Sequence, residues 1–209
     1  MKIKVYAFDF DGTLTTKDTF LEFIRYAKGT AAMLLGFAFH APLLVLMKLG
    51  ICSNGMVKQR VFSYFFKGMS INTFNMLCQR FADDNRARLL RPQAVETMQQ
   101  ACDSGAIVLV VSASVDNWVT PFFHTSDQAG DAPREHDIEV IGTQIEVHDG
   151  IVTGRFSTPN CYGREKVRRM NQRLERARSE YEITAFGDSR GDKEMLEYAD
   201  EGHYKLFRR

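Results

Sequence analysis

With 209 residues, 44% of them hydrophobic and 25% charged, the chain has ordinary globular composition and enough length for a sizeable core plus a substantial insertion. Its formal net charge of +1 supplies no overall field that would select nucleic acid or another polyanion, so a charged substrate must be met by local groups. The four cysteines, Cys52, Cys78, Cys102 and Cys161, form no C-x-x-C pair, have no histidine at zinc spacing, and read as reduced thiols of a cytoplasmic protein.

The first predicted element is a strand, Ile3 to Phe8, which runs into Asp9-Phe10-Asp11-Gly12-Thr13. The only charged side chains before the aspartates are Lys2 and Lys4, and the short strand lacks the long apolar core of a signal peptide. Positions i and i+2 of a strand share a face, so Asp9 and Asp11 would repel unless a cation sat between them or one kept its proton. Turn chemistry alone also accounts for aspartates beside a glycine.

From Asp18 to about Ser104 apolar residues recur at helical spacing with no strand pattern, which predicts several packed helices. Inside this stretch Ala31 to Met47 is apolar except for His40, with Pro42 interrupting it and Lys48 closing it. Its 17 residues are at the lower limit for crossing a bilayer. The expected arrangement is a buried helix hairpin broken near Pro42. The alternative is a broad apolar cap surface, which would suit a lipid phosphate or a peripheral membrane contact.

The texture then changes. Ala106 to Val111 is a wholly apolar, β-branched run, as expected of a strand buried on both faces of a parallel sheet. Ile183 to Phe186 repeats the pattern and ends in Gly187-Asp188. Helices are predicted over Asp116 to Phe123, Arg164 to Arg178 and Lys193 to Tyr198, and strand alternating with helix argues for a parallel α/β sheet. Glu139 to Val147 and Ile151 to Phe156 flank an Asp149-Gly150 turn signal and predict a hairpin. The polar tract Ser126 to Asp137 reads as a solvated loop. Ligands of such sheets bind beyond the carboxyl ends of the strands, where Asp9, Ser112 and Asp188 would meet.

Taken together, Asp9-Phe10-Asp11-Gly12-Thr13, Ser112 after a buried strand, Lys166 near a helix start, and Gly187-Asp188-Ser189-Arg190-Gly191-Asp192 resemble the four motifs of the haloacid dehalogenase superfamily. The helical insertion resembles the cap of its phosphoserine phosphatase-like branch, subfamily IB. Its apolar segment is similar to that of the phosphatidylglycerophosphatase C type. The resemblance implies a Rossmann-like parallel core with helices on both faces, built from residues 1–16 and 105–209, with a C1-type helical cap over 17–104 and a small β-hairpin.

It also implies a reaction and its residues. Asp9 would attack phosphorus to give an aspartyl-phosphate, and Asp11 would protonate the leaving alcohol and later take a proton from water. A halide leaving group needs no such proton, which separates the chain from a dehalogenase. Asp9, the Asp11 carbonyl and Asp188 would hold Mg²⁺, with Asp192 as an outer or additional ligand. Ser112 and Ala113 would bind phosphoryl oxygens and Lys166 would keep Asp9 ionised. Taken singly, Ser112 could be a helix cap, Lys166 part of a solvated charge run, and Asp188 and Asp192 turn and first-turn residues.

For substrate, Asp18 and Arg60 fall where phosphoserine phosphatase-like proteins have substrate contacts. Phosphoserine phosphatases carry Glu at the first of these. The expected partner is a small phosphate ester such as phosphoserine. A phospholipid phosphatase, a phosphotransferase, and a non-catalytic phosphate-binding module stay open.

Overall fold

The computed structural model describes residues 2–124 and 138–208. The predicted loop from Ser126 to Asp137 lies outside them. Five parallel strands form the sheet in the order β3-β2-β1-β6-β7, with β1 at Ile3–Phe8, β2 at Ile107–Val115, β3 at Ile138–Thr143, β6 at Tyr181–Gly187 and β7 at Glu201–Tyr204. Two-residue periodicity sends Val5, Ala7, Leu109, Val111, Ile183 and Ala185 to one face, and Phe8, Val110 and Phe186 to the other. Helices α8 (Arg164–Arg173) and α9 (Lys193–Tyr198) cover the first face through Met170 and Met195.

The insertion contains α1 (Thr19–Lys28), α2 (Thr30–Phe39), α3 (Ala41–Lys48), α4 (Asn54–Phe66) and α5 (Ile71–Leu89). Side chains of Asp18, Ser53 and Ser70 cap α1, α4 and α5, satisfying the free N–H groups at each start. An aromatic cluster fills its interior: Phe23 stacks on Trp118 at 5.0 Å between centroids and packs edge-on against Phe74 and Phe81. Trp118 belongs to the one-turn α7 (Asp116–Val119), so the cluster ties cap to core.

Three expectations are corrected. The chain returns to the sheet before 104: Thr16 donates its N–H to the Leu89 carbonyl and Arg91 to that of Leu14, both at 2.8 Å. Helix α6 (Pro92–Asp103) then packs on β2, because helical periodicity does not reveal which surface a helix covers. Second, Glu139 to Val147 is two strands. Its first half is β3 at the sheet edge, and only β4 (Ile145–His148) pairs with β5 (Ile151–Phe156) in the hairpin, which leans on α4.

Third, the apolar segment breaks where expected, at His40 with Pro42 in the first turn of α3, but it is not buried. Its two helices bend by 61°, and Leu34, Leu35, Phe39 and Val45 are 55–74% exposed.

Candidate active site

Residue Asp9 continues the face of Val5 and Ala7 and so points toward α8, where Lys166 lies one turn in. Lys166 Nζ donates to Asp9 Oδ1 at 2.6 Å and to the Val111 carbonyl at 2.6 Å, and ion-pairs with Asp192 Oδ1 at 2.7 Å. All three side chains are buried. Burial alone would pull the Lys166 ammonium down, but Asp9 and Asp192 outweigh it and hold it above the usual lysine range. Burial pushes the Asp9 carboxyl up to about 7, with Lys166 opposing the rise and Asp192 adding to it.

The parallel register sets Asp188 beside Asp9: Phe8 pairs with Phe186, and Asp9 donates its N–H to the Phe186 carbonyl at 2.9 Å. Thr13 Oγ1 donates to Asp9 Oδ2 at 3.1 Å and reaches Asp188 Oδ1 at 3.5 Å. Gly12 makes that approach feasible. Its φ is +85°, and a Cβ there would sit 2.5 Å from Asp188 Oδ2.

Carboxylate oxygens of Asp9, Asp188 and Asp192 lie within 4.8 Å of one another. Arg208 Nη2 meets Asp188 Oδ2, so two cations face three buried anions. Asp192 Oδ2 is fully used, accepting from Ser189 N at 2.9 Å, Ser189 Oγ at 2.7 Å and Asp188 N at 3.2 Å. Its Oδ1 has only the ion pair, without hydrogen-bond geometry, and is a buried acceptor with capacity to spare. A residual negative charge, hard oxygen donors and an unsatisfied oxygen fit a Mg²⁺ ion.

The Asp11 carboxylate is not part of this cluster. The strand ends at Phe8 and the next residues turn, so Asp9 and Asp11 do not share a strand face. Asp11 Oδ1 accepts from Thr19 N at 2.6 Å and Thr19 Oγ1 at 2.5 Å, and Oδ2 from Ser114 Oγ at 2.5 Å. Trp118 Nε1 donates to Thr19 Oγ1 at 3.3 Å, linking the aromatic cluster to the placement of Asp11.

Both aspartates open into a cavity of about 330 Å³ between sheet edge and cap, which Asp18, Lys166, Asp192 and Ala113 also line. Ser112 is fully buried under this wall, its Oγ accepting from Ser114 N at 3.0 Å. Asp18 spends Oδ1 on capping α1.

The exposed Arg60 does not line the cavity; the α4 cation that does is Lys58, two residues earlier. A two-residue step on a helix turns a side chain to a different face. Lys58 Nζ donates to the Ala113 carbonyl at 3.0 Å and lies 5.2 Å from the Phe20 ring centroid. Burial pulls its ammonium below the usual lysine range, against Asp11 and Asp18. Sequence reading also passed over Thr13 and Ser114 as site residues, although both stand inside or beside the quoted motifs.

Such a sheet, with its carboxylates at the switch point beside β1, defines a hydrolase of the haloacid dehalogenase type. The chain belongs to the haloacid dehalogenase-like hydrolase family, whose model matches residues 6–197. It is 33% identical over 204 residues to Protein CicA of Caulobacter vibrioides, covering 97% of this chain and 86% of that one. A protein of unknown function from Bordetella pertussis Tohama I superposes with TM-score 0.77 at 20% identity, over 94% of this chain and 87% of the other. Phosphoserine phosphatase, solved as a phospho-aspartyl intermediate analogue, superposes with TM-score 0.59 at 20% identity, over 95% and 84% of the two chains.

Proposed function

We propose that the chain is a Mg²⁺-dependent phosphomonoester hydrolase working through an aspartyl-phosphate on Asp9. The observation that carries this reading is the buried Lys166–Asp9–Asp192 group at the sheet edge, where Asp192 Oδ1 meets the Lys166 ammonium and has acceptor capacity to spare. Asp9, Asp188, Asp192 and the Asp11 carbonyl would hold the Mg²⁺, which when bound offsets charge on carboxylate and phosphoryl oxygens.

An Asp9 oxygen attacks phosphorus, the P–O ester bond breaks, and the departing oxygen takes a proton from Asp11. Asp11 then takes a proton from water, whose oxygen attacks phosphorus, releasing phosphate and the Asp9 carboxylate. The Thr19 and Ser114 hydroxyls can turn to donate to the ionised Asp11 or accept from its protonated form. Backbone N–H groups around Ala113, which lines the cavity, bind phosphoryl oxygens, Ser112 beneath them fixes that turn through Ser114 N, and Lys166 keeps Asp9 in place.

The fold likeness to phosphoserine phosphatase supports a small phosphorylated metabolite as substrate. A second reading, a phosphate ester with an apolar chain, is favoured by the cap wall of the cavity, where among the described residues Phe37, Leu44, Met47, Val57 and Val61 stand with one cation, Lys58. The test is turnover of an aryl phosphate with Mg²⁺ or chelator, for wild type, Asp9→Asn and Asp11→Asn. Turnover that needs the cation and is lost in both variants is expected. Wild-type-like turnover by Asp9→Asn would refute the mechanism. A panel containing phosphoserine and a long-chain alkyl phosphate, with product analysis, separates the substrate readings.

A further inference from the structure

An exposed apolar face formed by α2 and α3 is coupled to an unusual run of charge. None of the 60 residues from Phe23 to Ala82 is acidic, whereas seven are basic: Arg25, Lys28, Lys48, Lys58, Arg60, Lys67 and Arg80. With the whole chain at +1, this stretch carries +7 and the remainder −6. The near-neutral total conceals a strongly cationic cap.

The helix pair is apolar on both sides. Its inner side lines the cavity with Phe37, Leu44 and Met47, while Gly36 lies so close to α4 that a Cβ would sit 2.3 Å from the Phe65 ring. Its outer side leaves Leu34, Leu35, Phe39, Val45, Leu49 and Ile51 each more than half exposed. Lys28 and Lys48 stand at the two ends of the pair, both exposed.

We propose that this face seats the enzyme on an anionic membrane surface, with α2 and α3 lying in the headgroup region. Several large apolar side chains exposed on one helix pair mark an interaction site, and lysines beside apolar helices fit anionic headgroups. Among the described residues no single helix is long and apolar enough to cross a bilayer, and the two helices of the pair, of 10 and 8 residues, are bent by 61°. These reach roughly 15 and 12 Å against about 30 Å of hydrocarbon. A second copy of the chain is a poor occupant, since a twofold contact would set this cationic cap against its own image. The consequence is that the cavity wall and the lipid surface share the same two helices.

The test is flotation of the full chain with vesicles of phosphatidylcholine, with or without phosphatidylglycerol. We expect flotation with the anionic vesicles, weaker flotation without phosphatidylglycerol, and release by salt. Leu35→Asp with Phe39→Asp should lower partitioning tenfold or more, with aryl-phosphate turnover unchanged because neither side chain lines the cavity. Lys28→Gln with Lys48→Gln should weaken only the phosphatidylglycerol-dependent part. Absence of wild-type flotation, or flotation untouched by Leu35→Asp with Phe39→Asp, would overturn the proposal. So would a solution dimer that those substitutions split, without vesicle binding. Flotation is read without substrate, so its outcome is separate from that of the phosphatase reading.

Discussion

Removing the ammonium of Lys166 probes the site at its centre. Lys166→Met keeps most of the stem but leaves Asp9, Asp188 and Asp192 facing Arg208 alone, so the formal charge of the five-residue group goes from −1 to −2. Breaking a buried pair by deleting one partner costs about 3–5 kcal/mol. At roughly 2–4 °C per kcal/mol for a chain of this size, the melting temperature should fall roughly 6–20 °C in chelator. Turnover of an aryl phosphate with Mg²⁺ should fall about 10²–10³-fold, as for loss of one preorganised electrostatic group. Adding Asp192→Asn to Lys166→Met returns the group to −1 and should restore part of the stability but not the turnover. A Lys166→Met protein melting within about 2 °C of wild type would refute the reasoning, since the buried carboxylates would then not depend on this cation.

Lys58→Ala should lower kcat/KM about 10–100-fold through loss of a charged hydrogen-bonding group in the cavity, whereas Arg60→Ala should stay within about twofold; steady-state kinetics on one substrate compares them. Gly12→Ala combines a positive φ with a clash at Asp188 and should cost about 2 kcal/mol or more in urea unfolding. Glu22 predicts a pH effect. Burial raises its carboxyl, but Arg88, Arg25 and Lys17 outweigh this and hold it below the ordinary 4.5. Its contribution is therefore present above about 4.5 and lost as pH falls through the lower folded value. Unfolding of Glu22→Gln followed from pH 7 to pH 3 should converge on wild type at the acid end.

The reading of Asp9, Lys166, Asp188 and Asp192 from sequence rested on motif order. Parallel pairing then brings Asp9 and Asp188 together whatever the cap does. The charge of the cap was equally open to reading, because it needs only a count over Phe23 to Ala82, but a whole-chain average hid it. Arg60 failed for a rotational reason. Spacing along α4 puts it two residues from Lys58, and only packing against α2, α3 and the sheet decides which side chain enters the cavity.

Local chemistry by itself determined β1, β2 and β6, the break beside Pro42 and the acidic turn after β1, since each depends on neighbours within a few residues. Tertiary structure alone decided that Asp11 parts from Asp9 to bond Thr19 and Ser114, that α6 covers β2, and that α2 and α3 stay exposed. An apolar helix reads the same from sequence whether protein, lipid or water covers it, because periodicity records hydrophobicity and not what lies opposite.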